Sequence, residues 1–268
     1  MASPEDVEDR PRVADVVRSA LVWAAFAGVV LVAVPPMVIG YPLVLVDRKR
    51  AGADRWLRAI ARALVKLNPR WSVRVEGTRH LSFGGPYVLV VNHQSMADLI
   101  AMCFLGHDTK YLGKQAAFRV PVFGWALRIA GEVPVLRGDK ESGARALDAL
   151  GAWLDRGVSV AIFPEGTRTA DGALGAFKMG AFRLAIDHGR PIVPVVISGA
   201  RDLLPKASFV MSGRADVWVR VLEPIPTDGL AASDTPALAE RTRARMLAAL
   251  EELDGRRARD QAKKANAP

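Results

Sequence analysis

The segment YVLVVNHQSMADLIAMCFL, residues 87–105, passes from an apolar run through a polar turn into a helix-forming segment. Its first five residues are apolar and mostly β-branched, which is typical of a strand that is buried on both faces. Residues 97–105 have the spacing of a helix. A strand that leads through a short polar turn into a helix is the repeating unit of α/β proteins, so this segment predicts an α/β fold.

The same alternation continues along the chain. Further strands are predicted at residues 72–75, 133–135, 158–163, 192–197 and 215–221, and further helices at residues 122–129, 142–154, 177–187 and 236–253. Because the strand segments are almost entirely apolar, we expect a mostly parallel or mixed central sheet flanked by helices. Residues 71–254 form the predicted main domain, and the charged residues 255–268 are expected to be a frayed, flexible tail.

An apolar segment follows the polar N-terminal residues 1–18. No charged residue occurs in residues 19–46, a length that could cross a bilayer, which takes about 20 apolar residues. Pro35, Pro36 and Pro42 oppose an uninterrupted helix, so a bent pair of helices is predicted. Basic residues flank both ends of the segment, which places both ends in the cytoplasm by the positive-inside rule. We expect a membrane-embedded helical hairpin that dips into one leaflet at the cytoplasmic face of the cell membrane. A cleaved signal peptide is the alternative, but no clear small-x-small cleavage site follows the apolar segment.

Residues 53–67 predict an amphipathic helix that completes the membrane-associated region 19–70. Its cations are three or four residues apart and would form one basic stripe opposite an apolar face: Arg55, Arg58, Arg62 and Lys66. Such a helix is suited to lie at a lipid surface, with its cations near the headgroups. An ordinary surface helix packed on the domain explains the pattern equally well, so both interpretations stay open.

The chain carries 37 Lys and Arg residues against 28 Asp and Glu residues, a net charge of +9. Such a surface attracts polyanions, either anionic lipids or nucleic acids. The basic residues cluster beside the apolar segment and no nucleic-acid-reading motif occurs, so we expect an anionic membrane surface as partner and no nucleic acid. The single cysteine, Cys103, excludes an intramolecular disulfide. The four histidines lack the spacing of a zinc site, so neither a metal nor a cofactor is expected.

A histidine and an aspartate lie in the turn and helix that follow the strand at residues 87–91. Histidine is the residue type most suited to accept a proton from a hydroxyl group near neutral pH, so His93 is a candidate base. Residues five apart diverge by about 140° on a regular helix, so His93 and Asp98 meet only if His93 lies at the strand end or in the turn. There, Asp98 could hold one ring nitrogen and leave the other free to act as a base. The same spacing also arises by chance, and many such pairs only cap a helix.

A second polar segment, FPEGTRT at residues 163–169, follows another predicted strand. Ligands bind at such strand ends in α/β proteins, and an arginine can hold phosphate through two parallel hydrogen bonds. Arg168 is therefore a candidate phosphate ligand. Gly166 would let a ligand approach the backbone closely, and Glu165 could orient Arg168 or accept a hydroxyl hydrogen bond. A polar turn with a surface salt bridge is the alternative.

Arg137 follows the short predicted strand at residues 133–135 and could supply a second positive charge. If the three strands are parallel, His93, Arg137 and Arg168 all emerge at the same edge of one sheet. A base and two cations would then share one crevice.

Taken together and in this order, the motifs resemble those of the glycerolipid acyltransferase family typified by 1-acyl-sn-glycerol-3-phosphate acyltransferase, over residues 71–205. Residues 92–98 match the family's Asn-His-x-Ser-x-x-Asp block, and residues 163–168 match its Phe-Pro-Glu-Gly-Thr-Arg block. Further likeness lies in the late proline-containing strand and in two connecting regions: residues 113–114, 121–124, 177–180 and 191–197. Leu136 departs from the family, which often has an acid before the arginine.

The resemblance implies an acyltransferase with residues 71–254 as its catalytic domain. His93, oriented by Asp98, would deprotonate the sn-2 hydroxyl of lysophosphatidic acid, which attacks the thioester of acyl-CoA or of acyl carrier protein and forms phosphatidic acid. The acceptor phosphate would be bound by Arg137, Glu165, Gly166, Thr167 and Arg168, with Lys114 and Lys178 as secondary candidates. Two alternatives remain: the same chemistry on another acceptor (glycerol 3-phosphate, a lyso-aminolipid or a glycolipid precursor), and a membrane-binding protein without catalysis.

Overall fold

The computed structural model describes residues 13–68, 70–81, 85–169, 172–203, 210 and 214–265. Its strands are β1 (Trp71–Glu76), β2 (Val88–Val91), β3 (Thr109–Lys114), β4 (Val133–Val135), β5 (Ser159–Ile162), β6 (Ile192–Ser198) and β7 (Ala215–Val221). Its helices are α1 (Val13–Ile39), α2 (Tyr41–Val46), α3 (Ala51–Lys66), α4 (Ala97–Met102), α5 (Phe123–Ala130), α6 (Lys140–Asp155), α7 (Gly180–Asp187), α8 (Ala200–Leu203) and α9 (Thr235–Ala265). The α/β class is confirmed.

All these strands form one mixed sheet in the order β1-β7-β6-β2-β5-β3-β4. Strand β2 runs parallel to β5 and β6, and β3 runs parallel to β5 and β4, whereas β7 is antiparallel to β6. The carboxyl ends of β2, β5, β3 and β4 therefore meet at one edge of the sheet. This edge is where the polar motifs of the sequence follow their strands, as the prediction of parallel strands requires.

The core consists of two apolar layers, one on each face of the sheet, and alternate residues of β2 enter different layers. Val88 and Val90 pack into the layer formed with α6, α7 and α9, while Leu89 and Val91 pack into the layer formed with α4. All four side chains are fully buried. Burial on both faces explains why this strand is an uninterrupted apolar run.

Helix α1 lies lengthwise on the domain and packs against α5. Val30, Val34 and Met37 are buried against Ala126 and Ile129, whereas the opposite face is exposed. Among the described residues, α1 is the one helix that is long and apolar enough to cross a membrane.

The two predicted N-terminal helices are present, but their lengths are unequal. Helix α1 begins at Val13, inside the segment predicted to be polar, and it continues through Pro35 and Pro36. The break falls at Gly40, after which α2 begins with a proline in its first turn, a position where the missing N–H costs nothing. The packed face of α1 holds the helix together across the two prolines.

Of the two interpretations left open for the next helix, the structure supports packing on the domain. Arg58 of α3 faces the domain with only 3% of its surface exposed, and it forms an ion pair with Asp54, which is 1% exposed. Its guanidinium also donates to the carbonyl of Thr109 at 2.6 Å. Arg62 donates to the carbonyl of Cys103 at 3.1 Å. The helix therefore packs on the domain, and its cations do not form one lipid-facing row.

Two further segments differ from expectation. Strand β3 was not predicted, because Lys110 and Lys114 break its apolar pattern; the side chain of Lys110 is in fact fully buried. The segment 255–268 does not begin as a frayed tail, because α9 continues through it to residue 265. Ion pairs connect this extension to β1, α8 and β7: Arg256 with Glu76, Arg257 with Asp202, and Lys264 with Asp216.

Candidate active site

His93 and Asp98 meet where β2 turns into α4. The Nδ1 atom of His93 lies 2.7 Å from Oδ2 of Asp98, and both residues are buried. The turn makes this contact possible, because His93 precedes the helix and Asp98 lies in its first turn. Within the described residues, no protein group occupies the other ring nitrogen, Nε2, which is therefore available to accept a proton.

A single oxygen of Asp98 holds the turn as well as the imidazole. Oδ2 also accepts hydrogen bonds from the backbone amides of Gln94 at 2.7 Å and Ser95 at 2.8 Å. Burial raises the pKa of Asp98, and the hydrogen bonds from His93 and the two amides lower it by a smaller amount. A carboxylate that accepts three donors fixes the imidazole with its proton on Nδ1, which is the tautomer that leaves Nε2 basic.

The backbone and the ring of His93 are held from the loop after β5. The amide of His93 donates to Oε1 of Glu165 at 2.8 Å, and its carbonyl accepts from the amide of Thr169 at 3.1 Å. The ring lies over that of Phe163, with the centroids 4.3 Å apart. The two sequence motifs are thus joined by three contacts, and the sequence did not indicate the role of Phe163.

Glu165 differs from its predicted role. Its carboxylate accepts from the backbone amides of His93 and Gly175, at 2.8 and 3.0 Å. Burial raises the pKa of Glu165, and these two hydrogen bonds lower it by a smaller amount. Glu165 therefore joins two loops through backbone amides, instead of orienting Arg168 or facing a hydroxyl group.

Asn92 is a second positioning residue that sequence reasoning left without a role. Its amide nitrogen donates to the carbonyl of Ile197 at 2.9 Å, and its amide oxygen accepts from the amide of the same residue at 2.7 Å. The side chain thus pairs with β6 as a backbone would and holds the end of β2. Its place directly before His93, as the first residue of the matched block, was the available signal.

The predicted cations lie along the same sheet edge. Lys114 ends β3 and is exposed, Arg137 follows β4, and Arg168 follows β5. Burial lowers the pKa of Arg137, and the charge of Arg168 lowers it further, so these two guanidinium groups are electrostatic neighbours. Neighbouring strands are about 4.8 Å apart, so the end of β4 lies about 14 Å from the end of β2.

The turn that carries Gly166 is also close to a cation. Gly166 has a φ of +72°, and a Cβ atom at this position would lie 2.6 Å from Nζ of Lys178. The left-handed conformation favours glycine there, and a side chain would have to displace the end of Lys178. The ammonium group of Lys178 therefore lies against the backbone of the turn, next to the exposed Thr167.

The chain is similar to known acyltransferases. The Acyltransferase family model matches residues 72–198. The 1-acyl-sn-glycerol-3-phosphate acyltransferase alpha of Homo sapiens is 38% identical over 200 residues, covering 72% of this chain and 69% of that protein. The chloroplastic enzyme BAT2 of Brassica napus is 34% identical over 228 residues, covering 84% of this chain. The chain spans 66% of BAT2 and 53% of the chloroplastic LPAT1 of Arabidopsis thaliana.

A solved structure has the same fold. The crystal structure of the 1-acyl-sn-glycerophosphate acyltransferase PlsC from Thermotoga maritima matches with a TM-score of 0.71 at 24% sequence identity, covering 89% of this chain and 97% of that one. This likeness concerns the fold. The sequence matches, together with a sheet edge on which both motif blocks meet, show that the chain belongs to the acyltransferase family of the 1-acyl-sn-glycerol-3-phosphate acyltransferases.

Proposed function

We propose that this protein transfers a fatty acyl group from a thioester, acyl-CoA or acyl carrier protein, to the sn-2 hydroxyl of lysophosphatidic acid. The product would be phosphatidic acid, for phospholipid biosynthesis. The observation that carries the proposal is the 2.7 Å contact between His93 and Asp98 at a sheet edge that also bears several cations. The family supports the reaction type, and the cations support an acceptor that carries a phosphate.

In the proposed reaction, Nε2 of His93 removes the proton of the sn-2 hydroxyl while its oxygen attacks the thioester carbonyl carbon. Asp98 stabilises the imidazolium that forms, through the hydrogen bond at Nδ1. The tetrahedral intermediate then collapses, the carbon–sulfur bond breaks, and the departing thiolate takes the proton from His93. The imidazole is thereby returned to its starting form.

The acceptor phosphate would lie between the loops after β4 and β5. Of the two arginines, Arg168 is nearer to His93, because β5 is the direct neighbour of β2. Arg137 follows β4, which lies three positions from β2 in the sheet. Lys178 approaches the Gly166 turn and can add a third positive charge, and Thr167 offers a hydroxyl. Lys114 lies at the end of β3, between these two strands. Glu165 supports the loop through the backbone.

The protein would work at a lipid surface on the cytoplasmic face of the membrane. Helix α1 packs one face on the domain from Phe26 to Met37, so this part of the helix cannot enter a bilayer without bringing the domain to the lipid surface. Its other face exposes large apolar side chains, including Leu21, Leu31 and Val32. A helix packed in this way fits a position within one leaflet, with the active site facing the lipid.

The test is an acyl-transfer assay with purified protein in mixed micelles. Each donor type is offered with lysophosphatidic acid, glycerol 3-phosphate and a lyso-aminolipid, and the products are identified by mass spectrometry. His93→Ala should abolish transfer. The control is His188→Ala. His188 also pairs with an aspartate, Asp155 at 2.9 Å, but it lies at the end of α7, away from the sheet edge that carries His93. Equal losses in both variants, or full activity in His93→Ala, would contradict the proposed base.

A further inference from the structure

A cavity of about 550 Å³ lies at the opposite edge of the sheet from His93, and it is lined by residues of the α2–α3 connection and of the end of α6: Val44, Leu45, Asp47, Arg48, Lys49, Arg50, Asp155 and Arg156. It borders the amino end of β5, whereas the Gly166 turn follows the carboxyl end of the same strand. Six residues lie between Arg156 and Phe163, so about 20 Å lies between this cavity and the proposed catalytic site.

The lining of the cavity carries four cations and two carboxylates, so positive charge is in excess. Both carboxylates already have partners: Asp47 accepts from the backbone amides of Lys49 and Gly52, at 3.0 and 3.2 Å, and Asp155 pairs with His188. In the part of the chain that the structure describes, no acid forms an ion pair with any of the four cations: Arg48, Lys49, Arg50 and Arg156.

Two of these cations are held in place by packing. The guanidinium of Arg156 lies 4.8 Å from the ring centroid of Trp153, and that of Arg50 lies 5.9 Å from the same ring. Arg50 also donates to the carbonyl of Arg128 at 2.7 Å. Pre-ordered guanidinium groups are suited to bind phosphate, because little side-chain freedom is lost on binding.

The other wall of the cavity is apolar and continues onto an exposed hydrophobic surface. Val44 and Leu45 of α2 line the cavity, and the neighbouring Leu43, Leu45 and Val46 are 77%, 58% and 80% exposed. A ligand for this cavity therefore has an anionic head and an apolar tail. We infer that the cavity is a second lipid site, which binds the phosphate of an anionic membrane glycerophospholipid while its acyl chains lie along α2.

The location gives this site a mechanical consequence. Phe26 of α1 contacts Phe123, at the start of α5 on the active-site side, with ring centroids 6.4 Å apart. The other end of α1 leads through α2 into the cavity. A headgroup bound there holds the far end of α1 at the lipid surface, so that both ends of the helix stay at one interface. The inference shares the membrane location with the proposed function but does not depend on its catalysis.

The first test removes two cavity cations, with Lys49→Gln and Arg156→Gln combined, in the full chain. The control combines Arg145→Gln and Arg183→Gln, which removes the same charge from exposed arginines that already pair with acids, at 3.2 and 2.8 Å. Binding is measured to phosphatidylcholine vesicles with and without phosphatidylglycerol. At about 1 kcal/mol for each basic side chain, the cavity variant should bind the anionic vesicles about 30-fold less tightly. The control should change little, and neither variant should alter binding to pure phosphatidylcholine.

The second test identifies the ligand in solution. The chain is labelled with 5-fluorotryptophan, the Trp153 signal is assigned with Trp153→Phe, and dihexanoyl-phosphatidylglycerol, inorganic phosphate and CoA are titrated separately. The chemical shift of Trp153 should change and reach saturation as the short-chain lipid is added. In the cavity variant, this saturable change should be absent. Equal losses of vesicle affinity in both double variants would show diffuse attraction without a site.

Saturation of the Trp153 signal by CoA, or binding of acyl carrier protein at the cavity, would identify a donor site and overturn the inference. Acyl transfer in micelles is measured in parallel, since it should survive in the cavity variant; a wild-type chain without transfer would reject the proposed function and leave the binding results intact.

Discussion

Replacing Asp98 with asparagine separates the charge of this side chain from its shape. Oδ2 accepts from Nδ1 of His93 and from the amides of Gln94 and Ser95, at 2.7, 2.7 and 2.8 Å. An asparagine NH₂ group at the position of Oδ2 would face three hydrogen-bond donors. The amide oxygen of the asparagine must therefore occupy this position. The NH₂ group then occupies the place of Oδ1, which is buried without a hydrogen-bond partner among the described residues. The imidazole consequently keeps its tautomer, and only the negative charge is lost.

The charge sets the size of the effect. An imidazolium and a carboxylate about 4 Å apart attract each other by about 4 kcal/mol at an effective dielectric constant near 20. Asp98→Asn should therefore lower kcat about 10³-fold, with a smaller effect on the KM of either substrate. Stability should change little, because a buried NH₂ group without a partner costs about 1–3 kcal/mol while the buried charge, which the raised pKa of Asp98 shows to be unfavourable, is removed.

The assay follows release of the free thiol from acyl-CoA in mixed micelles, with unfolding in urea as the control for folding. The two residues act as one unit, so His93→Ala with Asp98→Asn should be no slower than His93→Ala alone. If the losses of rate in the two single variants multiplied in the double variant, the reasoning would be refuted, because Asp98 would then act without the imidazole. An Asp98→Asn enzyme that keeps more than about a tenth of the wild-type kcat would also refute it.

Three further outcomes are expected. Arg168→Ala should raise the KM for the acceptor about 10–100-fold and leave the KM for the donor unchanged, because a charged hydrogen bond is worth about 1.5–3 kcal/mol; parallel increases in both KM values would contradict a phosphate ligand. Asn92→Ala should lower the free energy of unfolding by about 2–4 kcal/mol in urea titrations, since it leaves both backbone groups of Ile197 unpaired; an unchanged midpoint would contradict this. Burial raises the pKa of Glu132 to about 8, so its stabilisation is complete below the unfolded value of 4.5 and is lost as the pH rises through 8. Glu132→Gln keeps an acceptor for the amide of Tyr111, and the Tm of the wild type should fall relative to this variant between pH 5 and pH 9; parallel Tm curves would show that Glu132 is ionised throughout.

The turn that joins His93 and Asp98 could be predicted from the sequence because its contacts are local. His93 and Asp98 are five residues apart, and a strand end followed by a helix is enough to bring them together. The role of Glu165 was not accessible. Its two partners are the amides of His93 and Gly175, and the backbone carries no side-chain signal that would reveal them.

Charged residues inside the domain account for the larger errors of sequence reasoning. Lys110 belongs to a buried strand because its ammonium donates to the carbonyl of Ala130 at 2.8 Å and lies 5.1 Å from the ring centroid of Trp153. Arg58 is buried because Asp54 and Thr109 satisfy its guanidinium. Apart from Asp54, which precedes Arg58 by one helical turn, these partners come from distant segments, and a helical wheel or a strand pattern treats each charge as if it faced solvent.

The polar contacts of α3 connect the N-terminal helices to the sheet edge that carries the two motifs. A buried ion pair adds little net stability, because the desolvation of its two charges offsets their attraction, but it is directional. Trp56 of α3 donates to the carbonyl of Ala33 in α1 at 2.8 Å, and Arg58 of the same helix donates to Thr109, where β3 begins. Strand β3 ends at Lys114, on the edge proposed to bind the acceptor phosphate. Apolar contacts alone would let α1 slide along the domain, whereas attack on the thioester requires reacting atoms about 3 Å apart. Directional bonds on both sides of α3 therefore fix the position of the sheet edge relative to the exposed apolar face of α1.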